Sequence, residues 1–205
     1  FLSIATTAVV STPSANFTFI NGGTDDDTFT LNPQTTTEFR LLGNLPTGSG
    51  SGDTLIMNVT GTANPNLTVP GSLAPYNGPG SGAWSFTSAH RPVLFGSIEQ
   101  STITGNYHLT FDNSVAPVAN LFVMRDAGMT NVQLRDGSTG GTIVYQGSLG
   151  TILSLRVLGS GGNDIVTVDD VNTLPNFAGT VPGVTDNGNL AGTAEFLFDG
   201  LGGSD

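Results

Sequence analysis

Apolar and polar residues alternate over short runs along this chain, and no run keeps the recurrence of an amphipathic helix. Short strands joined by turns are therefore expected from end to end. Phe17 and Phe19 share one face of an extended segment, as do Leu55 and Met57, Leu155 and Val157, and Val166 and Val168, because successive strand side chains point to opposite sides. Further runs of strand length stand at Trp84–Phe86, Val93–Phe95, Tyr107–Phe111, Leu121–Met124, Val132–Arg135, Thr142–Tyr145 and Ile152–Val157. Phe1–Val10 and Phe196–Phe198 read as strands as well. Between them, Asp136–Gly141 is expected to be a hairpin loop or a solenoid corner. Thr62–Gly82, interrupted by Pro65, Pro70, Pro75 and Pro79, reads as a long loop.

One plan recurs with different letters. A glycine turn runs into an Asp at Gly22–Asp27, Gly48–Asp53, Gly159–Asp164 and Gly200–Asp205, and in each copy a Gly stands five residues before the Asp. After the three internal copies an apolar residue follows two places on: Phe29, Leu55 and Val166. Glycine permits backbone angles that other residues avoid, and the closing carboxylate can accept turn amides or bind a cation. The cation reading makes Asp25, Asp26, Asp27, Asp53, Asp164, Asp169, Asp170 and Asp205 the candidate calcium ligands, since a hard cation takes six to eight oxygens from carboxylates and carbonyls. The structural reading makes the same residues turn caps.

Charge sharpens the choice of partners. The 205 residues contain no Lys, five Arg and 16 acids, for a net charge of −11, which disfavours nucleic acid and anionic membrane surfaces. Calcium, and acidic glycans bridged through calcium, fit this balance better. The absence of Cys excludes disulfides and thiolate metal sites. The apolar start, Phe1–Val10, is too short to span a bilayer, so no membrane insertion is expected.

Catalytic signatures are weak. His90 and His108 lack a second ligand at metal-binding spacing and read as structural. No G-x-S-x-G elbow occurs, and adjacent acids such as Asp169 and Asp170 would point to opposite faces of a strand rather than converge on a glycosidic bond. Trp84, Phe86, Phe95 and Tyr107 are either core or a sugar-stacking platform, with core favoured by the burial preference of large aromatics. The expectation is that the protein is not an enzyme.

With Gly82-Ala-Trp-Ser-Phe and Arg91-Pro-Val-Leu-Phe-Gly-Ser-Ile-Glu99, the Gly162-Asn-Asp-Ile-Val-Thr-Val-Asp169 stretch, and the closing Phe198-Asp-Gly-Leu-Gly-Gly-Ser-Asp205, the chain resembles modules of very large bacterial surface proteins carrying degenerate haemolysin-type (RTX-like) calcium-binding repeats. The turns are spaced unevenly and far more widely than the nonapeptides of a compact calcium roll. What the resemblance implies is an extracellular, cell-surface repeat module. The fold expected is all-β, an irregular right-handed parallel β-solenoid over 1–205 as a single elongated domain with a possible sub-lobe boundary near 105. Two antiparallel β-sandwich lobes are the alternative.

The function expected is that of a non-catalytic structural module of a surface, matrix or filament protein. A glycan-binding adhesin module is the alternative, and a glycan-active enzyme comes third. Asp205 lacks the strand that follows every internal turn, and Phe1-Leu-Ser-Ile4 has the apolar spacing that strand would need. Copies are therefore expected to join head-to-tail, with Phe1–Val10 of one against Gly200–Asp205 of the next, as tandem repeats or as separate subunits.

Overall fold

The computed structural model describes residues 17–44, 52–70, 80–114, 120–170, 172, 175, 177, 179 and 196–200, and the backbone of 2–4 and 9–14. It is all-β, and every element among the described residues is a strand. The chain divides into two compact units, 1–105 and 106–205.

The first unit is built on two sets of parallel strands that the chain visits alternately. One set is β3 (Phe17–Asn21), β5 (Glu38–Leu42) and β9 (Val93–Gly96), registered so that Ile20, Leu41 and Phe95 stand in one row. The other is β4 (Thr28–Leu31), β6 (Thr54–Asn58) and β10 (Gln100–Thr104), with Leu31, Met57 and Ile103 in a row. Each passage from the first set to the second crosses an acidic turn, so three tiers follow one another: β3 to β4, β5 to β6, β9 to β10. Alternation sets which side chains are hidden. Ile20, Phe29, Leu31, Leu41, Leu55, Met57 and Val93 are all buried, each separated by one position from a partly exposed neighbour in most strands. Burying such a side chain contributes about 1.5–3 kcal/mol, so these rows supply most of the favourable energy of the unit.

Antiparallel strands finish the sheets. β1 (Leu2–Ile4) lies along β4 and β2 (Val9–Ser14) along β3, so the apolar start forms two strands rather than one. A hairpin of β7 (Asn66–Val69) and β8 (Gly82–Ser85) is inserted between the second and third tiers, and β8 pairs with β9. β7 corrects the loop expected over Thr62–Gly82. Its Leu67 is buried opposite Trp84, and that packing outweighs the prolines that flank the strand.

In the second unit β11 (Tyr107–Asp112), β15 (Ile152–Leu158) and β17 (Phe196–Asp199) form a parallel set, placing Phe111, Val157 and Phe198 in one row. β12 (Asn120–Arg125) and β16 (Ile165–Val168) form its parallel counterpart. The hairpin of β13 (Asn131–Asp136) and β14 (Ile143–Ser148) extends the β12 sheet, giving the order β14-β13-β12-β16. Asp136–Gly141 is thus a hairpin loop and not a corner between tiers. Leu109, Leu121, Val132, Leu134, Ile152, Leu155 and Val157 are buried, whereas Met129, Ile143, Val144, Ile165 and Val168 are exposed.

Candidate functional site

The acidic turns of the first unit stack on one another. Asp27, which ends the turn from β3 to β4, donates its backbone N–H to Asp53 Oδ1 at 2.7 Å. Asp53, in the same place one tier later, donates its own N–H to Glu99 Oε2 at 2.7 Å. Peptide carbonyls return the contact: Thr54 N–H reaches Asp27 O at 2.8 Å, and the N–H groups of Glu99 and Gln100 reach Asp53 O at 3.1 and 3.0 Å. Each tier therefore offers a carboxylate to the tier before it. A side-chain row runs beside this ladder, with the Asn44 amide donating to Asn21 Oδ1, which also accepts Gly23 N–H at 3.1 Å.

Glycine's role in these turns is space. A Cβ on Gly22 would stand 2.3 Å from Asp27 Oδ2, and one on Gly43 would stand 2.3 Å from Asp53 Oδ2 and 2.1 Å from Ser97 O. The carboxylate fills the volume a side chain would need. Gly22 lies five residues before its Asp, as the sequence pattern has it. The glycine against Asp53, however, is Gly43 and not Gly48, which lies outside the described residues.

The second unit has a corner of the same kind with different letters. Asp164 Oδ1 accepts from the Asn113 side-chain amide at 2.9 Å, and its Oδ2 accepts the Ser160 N–H at 2.6 Å and the Ser160 hydroxyl at 3.1 Å. Gly159 N–H donates to Asp199 O at 2.7 Å and Asn113 N–H to Leu158 O at 2.9 Å, which ties three tiers together. A Cβ on Gly159 would lie 2.9 Å from Asp164 Oδ2. Sequence reasoning missed Glu99 and Asn113. Glu99 carried a signal, since Gly96 and then an acid precede the strand at Gln100, but without a glycine cluster.

Burial and charge act together on Asp53. It is 0% exposed, and its Oδ2 has no hydrogen-bond donor among the described residues. Desolvation raises its pKa above the usual carboxylate value of 3.8, the Asp27 amide opposes that rise, and the carboxylates of Glu99, Asp27 and Asp26 add to it. The remaining candidate acids are scattered. Asp25 and Asp26 are exposed, while Asp169 is half-buried and Asp170 exposed, both beyond the end of β16 at Val168. Asp205 lies outside the described residues. Among the described residues no group of three or more His, Asp or Glu side chains is placed to hold a metal ion. Asp53 and Asp164 each give an oxygen to an amide of another tier.

The other candidates are structural in their geometry. His108 is buried with Nδ1 2.8 Å from Ser154 Oγ, and desolvation lowers its pKa below 6.5. His90 closes a local turn, Nδ1 to Ser88 Oγ at 2.6 Å. Trp84, Phe95 and Tyr107 are core residues, and the Tyr107 hydroxyl, 2.8 Å from that of Tyr145, is pushed up to about 12 by burial. No protein-family model matches the chain, and neither curated proteins nor solved structures give a match.

Two outcomes follow from this geometry. Gly43→Ala forces a side chain into the Asp53 carboxylate and the Ser97 carbonyl, and is expected to cost about 1–3 kcal/mol in chemical denaturation, as overpacking does. Gly161→Ala, which meets nothing within 4 Å, is expected to change stability by less than about 0.5 kcal/mol.

A third outcome concerns pH. Because the folded pKa of Asp53 is raised, the folded state holds its proton to higher pH than the unfolded state does, so the contribution of Asp53 to stability falls as pH rises from 3.8 through that raised value. Above it the deficit is complete. Asp53→Asn keeps an acceptor for Asp27 N–H and removes the charge. Its stability relative to wild type is therefore expected to climb across that window and then level off, as measured by denaturation at a series of pH values. A variant that loses ground against wild type as pH rises contradicts the assignment.

Proposed function

We propose that the chain is a non-catalytic structural module, an irregular parallel β-solenoid of a bacterial surface, matrix or filament protein. Its crossovers between parallel strands are taken as right-handed, the hand that L-residues impose. The observation that carries this reading is where the acids go. The carboxylates of Asp53 and Asp164 are buried and bonded to amides of neighbouring tiers, out of reach of any substrate. Such groups hold coils together; they do not cleave or capture a ligand. Of the aromatic residues that could have stacked on sugars, Trp84, Phe95 and Tyr107 are spent in the core and Phe86 is half-buried against His90, which weighs against the adhesin reading.

The reading extends to assembly between copies. Among the described residues β1 and β2 have one strand partner each, β4 and β3, and β16 and β17 likewise have one each, β12 and β15. An open strand edge is a template for another chain. Head-to-tail joining, expected from the sequence through Phe1–Val10 and Gly200–Asp205, would use the outer edges of β1 and β2, since β1 already lies against β4 of its own chain. A heterologous contact of that kind propagates into a filament. An acidic, Lys-free chain resembling RTX-like surface modules suits an extracellular location. Calcium enters at the exposed carboxylates, Asp25, Asp26 and Asp170, and acidic glycans through it.

Sedimentation of the intact protein over rising concentration is expected to show open-ended growth, and removal of Phe1–Ile4 is expected to stop that growth while the strand circular-dichroism signal persists. An intact protein that stays monomeric, from a gene encoding a single copy, refutes head-to-tail joining. For calcium, the expected result is a higher melting temperature in calcium than in chelator, with the difference lost when Asp25 and Asp26 are both changed to Asn. Coincident wild-type curves remove calcium from the reading.

A further inference from the structure

β14 is an edge strand without the usual defences. It pairs with β13 on one side, and among the described residues no strand lies on the other. Natural edges are blunted by Lys, by Pro, by inward charges or by bulges. Here there is no Lys in the chain and no Pro or charge in Ile143–Ser148. The single register shift lies at the start of the strand, opposite Leu134 and Arg135, and from Tyr145 to Ser148 the ladder is regular. Two apolar side chains at that start stay in water, with Ile143 43% and Val144 39% exposed.

The opposite end of the edge is apolar too. Ser148 pairs with Asn131, and Leu149 N–H donates to Thr130 O at 2.9 Å, so the strand finishes beside the hairpin turn that carries Met129, 54% exposed. An antiparallel partner of the same sequence would bring the Ile143 and Val144 end of one strand to the Met129 end of the other, twice over. The edge is self-complementary in this sense.

Charge selects the occupant and the edge. Two copies bearing −11 each repel, so a contact between them must keep carboxylates apart. From Gly137 to Leu155 there is no charged residue; Asp126 stands in the Met129 turn at one end of the edge, and at the other Asp136 stands beside Arg135, so an antiparallel partner sets Asp126 against an end that carries both signs. The other edge of the same sheet, β16, exposes Ile165 and Val168 but is flanked by Asp164, Asp169 and Asp170 with no basic residue between them, and pairing there would set acid against acid.

We infer that β14 strands of two copies pair antiparallel across a twofold axis, joining their four-stranded sheets into one. The contact is isologous and closes at two copies, so it is distinct from the end-to-end contact proposed above, and together the two would bind filaments in pairs. Neither needs the other.

Because the chain lacks Cys, single engineered cysteines report the contact cleanly. Gln146→Cys, near the twofold axis, is expected to form an intermolecular disulfide under mild oxidation at least tenfold faster than Ser101→Cys on the exposed strand β10. In sedimentation equilibrium of the chain lacking Phe1–Ile4, a monomer–dimer equilibrium is expected to remain, and Val144→Lys in that background is expected to leave monomers with an unchanged melting temperature. Equal cross-linking rates for the two cysteines, or a dimer that survives Val144→Lys, overturns the inference. So does a truncated chain that stays monomeric at the highest attainable concentration. Each of these results leaves the end-to-end contact standing or falling on its own test.

Discussion

A carboxylate that accepts an amide from the neighbouring tier is the contact on which this architecture turns. Parallel strands brought together from distant parts of the sequence need something to fix where each strand begins, since a slip of one residue would turn every apolar side chain to the wrong face. The bond from Asp27 N–H to Asp53 Oδ1 fixes the start of β4 against β6, and the bond from Asp53 N–H to Glu99 Oε2 fixes β6 against β10. The Asn113 side chain, donating to Asp164, plays the same part where β11 and β15 meet their next turns. Burying a carboxylate is unfavourable, and the raised pKa of Asp53 is the visible sign of that cost. Its return is registration, which the apolar rows then convert into stability.

Irregular spacing follows from this device. A corner made by one carboxylate and one amide needs no ion shared between adjacent repeats, so the length between corners is free. Hairpins enter between tiers in both units, β7 with β8 in one and β13 with β14 in the other, without disturbing the parallel rows. The glycines obey a local steric rule instead of a repeat length: one must lie wherever the carboxylate folds back onto the chain, five residues earlier at Gly22 and Gly159, ten earlier at Gly43.

How much of this could be read from the letters depends on whether the cause is local. Alternation at Phe29 and Leu31 or at Leu55 and Met57 reports a half-buried strand directly, and those strands form with those residues inward. Gly22 with Asp27 and Gly159 with Asp164 were legible because glycine and acid belong to one turn. Gly43 with Asp53 was not, because ten positions separate them and other glycines stand nearer in sequence. The pairings of Glu99 and Asn113 were illegible for a different reason: their partners are 46 and 51 residues away, and although Gly96 marks a turn before Glu99, no local pattern encodes which tier it meets. Likewise nothing in the letters separates Ile143 and Val144, exposed on an edge, from Ile152 and Leu155, buried on a strand that has parallel neighbours on both sides.

Amide hydrogen exchange followed residue by residue tests the central claim most directly. Turn amides in water exchange quickly, whereas amides bonded within the core open only with sub-global or global unfolding. The account predicts that Asp27 N–H and Asp53 N–H, although they sit in turns, exchange as slowly as the amides of β4 and β6 beside them. Fast exchange at Asp27 and Asp53, with the strands alone protected, would contradict it.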